Sequence, residues 1–195
     1  MSHDPPSGSG PAPAPPDAGK ISRAHPEDRP DILFGLLEKA RAAQRDWAAL
    51  SFRARAGHVL AVRDAIVAEA DRIAEIISRD NGKTRIDALS TEVLPAAMSA
   101  TYYAKKAAGF LKPKKIRAGN VLFLNKKSRL EHVPYGVIGI ISPWNYPFAI
   151  PFHEIAMALM AGNAVLLKAA SRTPEVARLI RDIIGAGRFP DGLFH

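Results

Sequence analysis

With 195 residues, 47% of them hydrophobic, the chain is long enough for one domain or a small pair with a buried core. It holds no cysteine, which excludes a disulfide framework, and no apolar run long enough to cross a bilayer. Lysine and arginine outnumber aspartate and glutamate 27 to 19, and the resulting net charge of +8 needs an account.

Residues 1–30 open the chain as a proline-rich tail expected to be disordered. No apolar stretch interrupts its first twenty residues, so it is not a secretory signal, and a cytoplasmic location is expected. Residues 31–50 read as an amphipathic helix with Leu33, Leu36, Leu37, Ala40 and Trp47 near one face. Ser51 can cap a second helix, which runs to about Arg79 through Val59, Val62, Ile66, Ile73 and Ile77 and is ended by Asn81-Gly82. A third helix is expected over residues 91–110, with Pro95 tolerable only in its first turn. Residues 121–125 and 129–133 read as two strands around Lys126-Lys127-Ser128.

The informative part of the chain follows. Val137-Ile138-Gly139-Ile140-Ile141 is a short apolar run rich in β-branched residues, the pattern of a buried parallel strand. Pro143 ends it, and Asn145-Tyr146-Pro147 turns the chain into a helix over residues 148–160. Gly162 or Asn163 supplies the left-handed stop. Ala164-Val165-Leu166-Leu167-Lys168 is the next strand, so strand, crossover helix and strand make one right-handed βαβ unit. Thr173-Pro174-Glu175 opens another helix, with a hydroxyl cap and an acid near its positive end. Gly185 or Gly187 closes that helix, and Pro190-Asp191-Gly192 leads into the beginning of a third strand at Leu193-Phe194. The fold class is α/β, doubly wound. In such sheets ligands sit outside the carboxyl ends of the strands, where Asn145 and Lys168 both fall. Each residue also has a plain reading alone: Trp144 as packing, Asn145 as a turn residue, Lys168 as a solvated strand end. Their combination is much rarer.

Residues 133–148, VPYGVIGIISPWNYPF, and residues 161–174, AGNAVLLKAASRTP, resemble the paired signatures of the aldehyde dehydrogenase superfamily. The helix through Ala40 to Trp47, the Asn81-Gly82-Lys83 turn and the helix through Tyr102-Tyr103-Ala104 also fit, so the resemblance covers roughly residues 31–195. It implies an incomplete aldehyde dehydrogenase fold in four parts. Residues 1–30 are the tail, and 31–118 the helical part of the cofactor domain. Residues 119–133 are a hairpin of a bridging sheet used in subunit contact, and 134–195 the beginning of the NAD(P)-binding α/β core. It implies that Asn145 helps stabilise an oxyanion, and that Ile141, Ser142, Pro143 and Trp144 line the cofactor cleft. Lys168 would hydrogen-bond the adenosine ribose. NAD-preferring members commonly carry a glutamate three residues after that lysine; this chain has Ser171, which leaves room for a 2′-phosphate, so NAD or NADP is expected with a lean to NADP. Ser171 as a plain loop residue stays open.

The family reaction runs through a cysteine thiolate and a glutamate that activates water, both downstream of the second motif in family members. The chain is therefore expected to be a truncated or split form, inactive alone. When completed it would act on an aldehyde as a homo-oligomer, with no metal, nucleic acid or transmembrane segment. The alternative is a non-catalytic binding or regulatory module with a basic surface. Lys105, Lys106, Lys112, Lys114, Lys115, Arg117, Lys126, Lys127 and Arg129 fall in one stretch with no acid among them. Such a stretch is a solvated face or a site for nucleic acid or an anionic membrane. Three weaker signals are set aside. Tyr102 and Lys106 have a catalytic spacing but no glycine-rich turn before them. Pro190 breaks the dinucleotide fingerprint after Gly185-Ala186-Gly187, and Met157 removes the second ligand after His153-Glu154.

Overall fold

A computed structural model describes residues 30–117, 119–120 and 125–195. The expected tail over 1–30 lies almost entirely outside the described residues, as does most of the expected strand at 121–125. Among the described residues the order is α1 (Pro30–Ala49), α2 (Phe52–Ala68), α3 (Ala70–Asn81) and α4 (Arg85–Ala88), then a π-helical turn, Leu89–Val93. After it come α5 (Leu94–Phe110), β1 (Lys114–Ile116), β2 (Ser128–Leu130), β3 (Val137–Ile141), α6 (Ala149–Met160), β4 (Ala164–Lys168) and α7 (Pro174–Gly185).

β3 and β4 pair in parallel, Val137 opposite Ala164 and Ile141 opposite Lys168, with α6 as the crossover. Residues 193–195 join the other side of β4: Val165 donates to the Leu193 carbonyl at 2.9 Å, and His195 donates back to the Val165 carbonyl at 3.0 Å. A parallel bridge between Val165 and Phe194 thus stands where the third strand is expected to begin. Burial keeps the His195 imidazole below its usual pKa, with Asp191 opposing that shift and Lys39 and Arg181 adding to it.

The helical region differs from its expected form in three ways. The single helix over 51–79 is two helices, broken at Glu69, where the backbone reaches φ −104° and ψ 17°. No glycine or proline marks the break. The bend lets α2 pack on α5 while α3 reaches α7 and the π-turn. The third helix begins earlier, at Arg85, and passes through the π-turn before Pro95 enters at the first turn of α5. Finally, the strand at β2 pairs antiparallel with β1, Lys114 opposite Leu130, and residues 131–133 are not strand. Ser51 does cap α2, accepting from the Ala54 N–H at 3.2 Å. Thr173 does not cap α7; it is buried, and the Asp80 carboxylate at the end of α3 accepts from the Val176 N–H at 2.9 Å instead.

The core runs through α1, α2, α3, α5, α6 and α7 and includes the expected Val59, Val62, Ile66, Ile73 and Ile77. α1 is buried at Ala40, Ala43 and Trp47, while Leu33 stays half exposed. Trp47 is fully buried, donates from Nε1 to the Leu159 carbonyl at 2.9 Å, and meets His58 and Phe189 edge-on. Gly162 turns the chain after α6 at φ +89°, where a Cβ would lie 2.3 Å from Nη1 of the buried Arg55. Burial lowers the Arg55 pKa.

Trp47 gives a direct test of this packing. Trp47→Ala is expected to cost about 3–5 kcal/mol in urea unfolding, the range for a large aromatic removed from a core. Trp47→Phe keeps most of the ring and removes one of two donors to the Leu159 carbonyl, which still accepts from the Gly162 N–H at 3.0 Å, and is expected to cost about 0.5–1.5 kcal/mol.

Candidate functional site

The register of β3 and β4 brings two loops together. Ile141 stands opposite Lys168, and the ladder continues one step further, with the Ser142 N–H donating to the Lys168 carbonyl at 3.0 Å. The loops after the two strands therefore leave the sheet side by side, at its carboxyl edge. The first carries Ser142 to Pro147, the second Ala169 to Thr173.

Along this edge Ile141 is 82% exposed and Trp144 half exposed, and Pro143, Asn145, Lys168, Ser171 and Arg172 are all exposed. The expected buried strand is thus covered only in part: Gly139 and Ile141 are open because, among the described residues, β3 pairs with β4 alone. Ser142 is the inward exception, buried, with its hydroxyl near the Pro143 carbonyl at 3.3 Å. The Arg172 guanidinium sits 5.1 Å from the Trp144 ring centroid, so a cation–π contact ties the second loop to the first. Asn145 makes no side-chain hydrogen bond among the described residues, which leaves its amide available.

The edge is open at its tips but anchored at its base, by residues whose role the sequence did not reveal. Glu92 lies in the π-turn and is fully buried. One carboxylate oxygen accepts from Lys83 Nζ at 2.5 Å; the other accepts from the N–H groups of Phe148 and Ala149 at 2.8 and 3.2 Å. Those two N–H groups begin α6, so the carboxylate meets unsatisfied donors and the positive end of the helix together. Lys83 Nζ also lies 3.7 Å from the Tyr146 ring centroid. Its neighbour Asn81 donates to the Trp144 carbonyl at 2.6 Å. Gly82, at φ +83°, makes the left-handed turn that points these two neighbours at the same loop. The Asn81-Gly82 stop could be read from the sequence, but its contact with a loop some sixty residues away could not. Glu92, inside a helical pattern, gave no local sign.

Chemically, the edge offers an amide, a hydroxyl, an ammonium and a guanidinium, with no carboxylate in residues 141–146 or 168–173. Such a set carries no negative charge and donates readily to phosphate, hydroxyl and developing oxyanion groups. Among the described residues no cluster of metal-ligating side chains occurs.

The sequence model described as the aldehyde dehydrogenase family matches residues 14–195, starting inside the proline-rich segment. A 4,4'-diapolycopene aldehyde oxidase of Methylomonas is 33% identical over 175 residues, which are 90% of this chain and 33% of that protein. Among solved structures, an aldehyde dehydrogenase of Brucella melitensis superposes with a TM-score of 0.78 at 29% identity, over 84% of this chain and 33% of the other. The succinic semialdehyde dehydrogenase of Streptococcus pyogenes, solved with NADP+, superposes with a TM-score of 0.77 at 26% identity, over 85% and 35%. The chain thus spans about a third of the length of the proteins it matches.

The anchoring of the first loop can be tested on this chain. Glu92→Ala leaves the part-buried Lys83 unpaired beside two stranded N–H groups and is expected to cost about 3–5 kcal/mol in denaturant unfolding. Glu92→Gln keeps an acceptor and is expected to lose less. In both variants Trp144 should become more accessible to acrylamide quenching; with Trp47 fully buried, the change reports on the loop.

Proposed function

The chain belongs to the aldehyde dehydrogenase family, and on that premise we propose that it forms the cofactor-side part of an NAD(P)-dependent enzyme that oxidises an aldehyde to a carboxylic acid. One observation carries the reading: the Ile141–Lys168 pairing sets the loop of Trp144 and Asn145 beside the loop of Ser171 and Arg172, at the carboxyl edge of a parallel pair.

In this reading the donors of the edge fit a nucleotide. Lys168 hydrogen-bonds the adenosine ribose, and Ile141, Pro143 and Trp144 form the wall against which the nucleotide lies, with Ser142 supporting it from beneath. Ser171, with Arg172 next to it, leaves space and favourable charge for a 2′-phosphate, so NADP is accepted as well as NAD. When bound, the nicotinamide cofactor supplies the hydride acceptor. Asn145 directs its free amide at the oxyanion formed when a nucleophile adds to the aldehyde, a role in which one placed donor typically contributes ~3 kcal/mol. The thiolate nucleophile is outside the chain's own residues, since it has no cysteine, and by family resemblance so is the glutamate that activates water. Residues 31–118 then serve as the helical part of the cofactor domain, and β1 and β2 as part of a bridging sheet between subunits of a cytoplasmic homo-oligomer. The relatives differ in substrate, one named for a long apolar aldehyde and one for a short anionic aldehyde, and the proposal stops at the aldehyde class.

Two measurements test this reading. The purified chain, given several aldehydes with NAD and NADP, is expected to show no turnover above a control without protein. Turnover that Asn145→Ala abolishes would overturn the assignment of the nucleophile to another segment. For the cofactor, Trp144 fluorescence can follow nucleotide binding. Ser171→Glu is expected to weaken NADP relative to NAD by about fivefold or more, the effect of a like charge in a partly solvated site. Lys168→Ala should weaken both. Equal NADP dissociation constants for wild type and Ser171→Glu would make Ser171 a loop residue and nothing more.

A further inference from the structure

The helical face that includes Met98 and Tyr102 has no role in the site described above. Between α2 and α5 lies an open groove of about 460 Å³. Its floor is apolar, with Val67, Met98 and Tyr102 each half exposed or more, at 60%, 62% and 50%. Leu94, Met98 and Tyr102 follow one another at i, i+4, i+8, so they form a stripe along α5, and Leu94 is also 55% exposed. Phe110 extends the apolar surface, its ring 5.9 Å from that of Tyr102. Isolated exposed apolar residues are ordinary; a stripe of this length is not.

The rim of the groove is cationic: Arg63, Lys105 and Lys106. Arg63 is held by Asp64 at 2.6 Å and Thr101 at 3.3 Å. Lys105 and Lys106 are exposed and have no ion pair among the described residues. They also begin the acid-free stretch that ends at Arg129. A second open groove, between β1 and the turn before β2, is lined by Lys115, Arg117, Lys126, Lys127 and Arg129. Of these, Arg129 pairs with Glu131 at 2.9 Å.

We propose that the Leu94–Tyr102 face of α5, with its lysine rim, docks on an anionic lipid surface. The pairing of an exposed apolar stripe with flanking lysines is the pattern of a helix that lies in a membrane interface: the apolar side chains enter the headgroup boundary and the long lysine stems keep their ammonium groups among the phosphates. A second copy of the chain fits worse. The residues that line the groove include three cations and no acid, so an isologous contact would offer Lys105 and Lys106 no opposite charge from the other copy's lining. Nucleic acid also fits worse, because the floor has a single ring, Tyr102, among valine, alanine and methionine rather than a row of stacking rings. A single acidic helix would cover the groove but not Leu94 and Phe110, which are exposed outside its lining, whereas a bilayer presents an extended surface. The proposal is independent of the chemistry assigned to the strand edge.

The test uses the intact 195-residue chain and sedimentation with vesicles. Binding is expected to vesicles of phosphatidylcholine with 30% phosphatidylglycerol, a composition of about that anionic fraction being enough for a strong surface potential. It should fall steeply in phosphatidylcholine alone and at high salt. Met98→Glu with Tyr102→Glu is expected to abolish it. Lys105→Gln with Lys106→Gln should weaken it about 30-fold, the effect of two cations near the surface. All four side chains are exposed, and far-UV circular dichroism will verify that the variants stay folded. Equal sedimentation with both vesicle types, or wild-type sedimentation of the Met98→Glu/Tyr102→Glu variant, would overturn the proposal. Three other outcomes would overturn it as well. These are tighter binding to a single-stranded oligonucleotide with the same lysine dependence, tighter binding to an acidic amphipathic peptide, and concentration-dependent dimerisation that Met98→Glu removes.

Discussion

The arrangement of this molecule follows from the burial of both ends of α6. A helix leaves four N–H groups and four carbonyls unpaired at its termini, and when the termini are inside the protein each must find a partner there. α6 is apolar on most faces and packs against α5, α2 and the β3–β4 pair, so water reaches little of it. Glu92 accepts from its first donors. Trp47 donates to the Leu159 carbonyl, Gln44 to the Gly162 carbonyl at 2.9 Å, and Asn163 to the Ala158 carbonyl at 3.3 Å. The partners come from α1, from the π-turn and from the turn after α6 itself. Helices far apart in the chain are thereby fixed to one crossover helix, and through it to the register of the sheet.

A buried carboxylate at one end of such a helix is costly unless it is fully paired. Glu92 meets that condition with three hydrogen bonds, and each bond has a structural consequence. Bonding Phe148 and Ala149 sets where α6 begins. Bonding Lys83 draws in the Asn81–Lys83 turn, which then engages Trp144 and Tyr146. The turn at the end of α3 also reaches α7: Asp80 caps it, and Arg79 pairs with Glu175 at 3.2 Å. The first loop and the start of α7, which follows the second loop, are consequently braced from the same side, by residues 79–83 at one helix end. The Asn145 amide remains free while its loop does not, which is the condition for a preorganised donor.

What could be read in the sequence was what depends on local pattern. The runs at 137–141 and 164–168 gave both strands to the residue, because β-branched density and flanking turn residues act over a few positions. Ser51 and Gly82 marked helix ends for the same reason. The misreadings were long-range. Glu69 ends α2 without a breaker, because α2 and α3 pack on different partners. Thr173 has the identity of a cap, but Asp80 arrives from α3 and takes its place. The π-turn inserts a residue where α-helical periodicity alone could not foretell it, and it is that turn which points Glu92 inward. At the edge, the residue types of Asn145, Lys168 and Ser171 were evident, but the stacking of Arg172 on Trp144 depends on how two loops leave the sheet. The pairing of β1 with β2 was not legible because the lysine-rich segment from 112 to 117 has little of the apolar alternation that announces a strand.

The same helix end links the two surfaces of the protein that face outward. α5 starts at Leu94, two residues after Glu92, so the carboxylate that positions α6 also fixes the point from which the exposed stripe runs. His153 of α6 reinforces the link, its Nε2 lying 3.2 Å from the Pro95 carbonyl in the first turn of α5. A displacement of α5 along its axis would therefore strain Glu92 and His153 together, and with them the start of α6 and the loop that carries Asn145. A rigid connection of this kind has a functional sense. A face held against a surface would hold the Asn145 loop at a constant height and orientation relative to that surface. The apolar and cationic residues of α5 and the donors of the strand edge are then parts of one rigid frame, and the fully paired carboxylate at their junction is what makes it rigid.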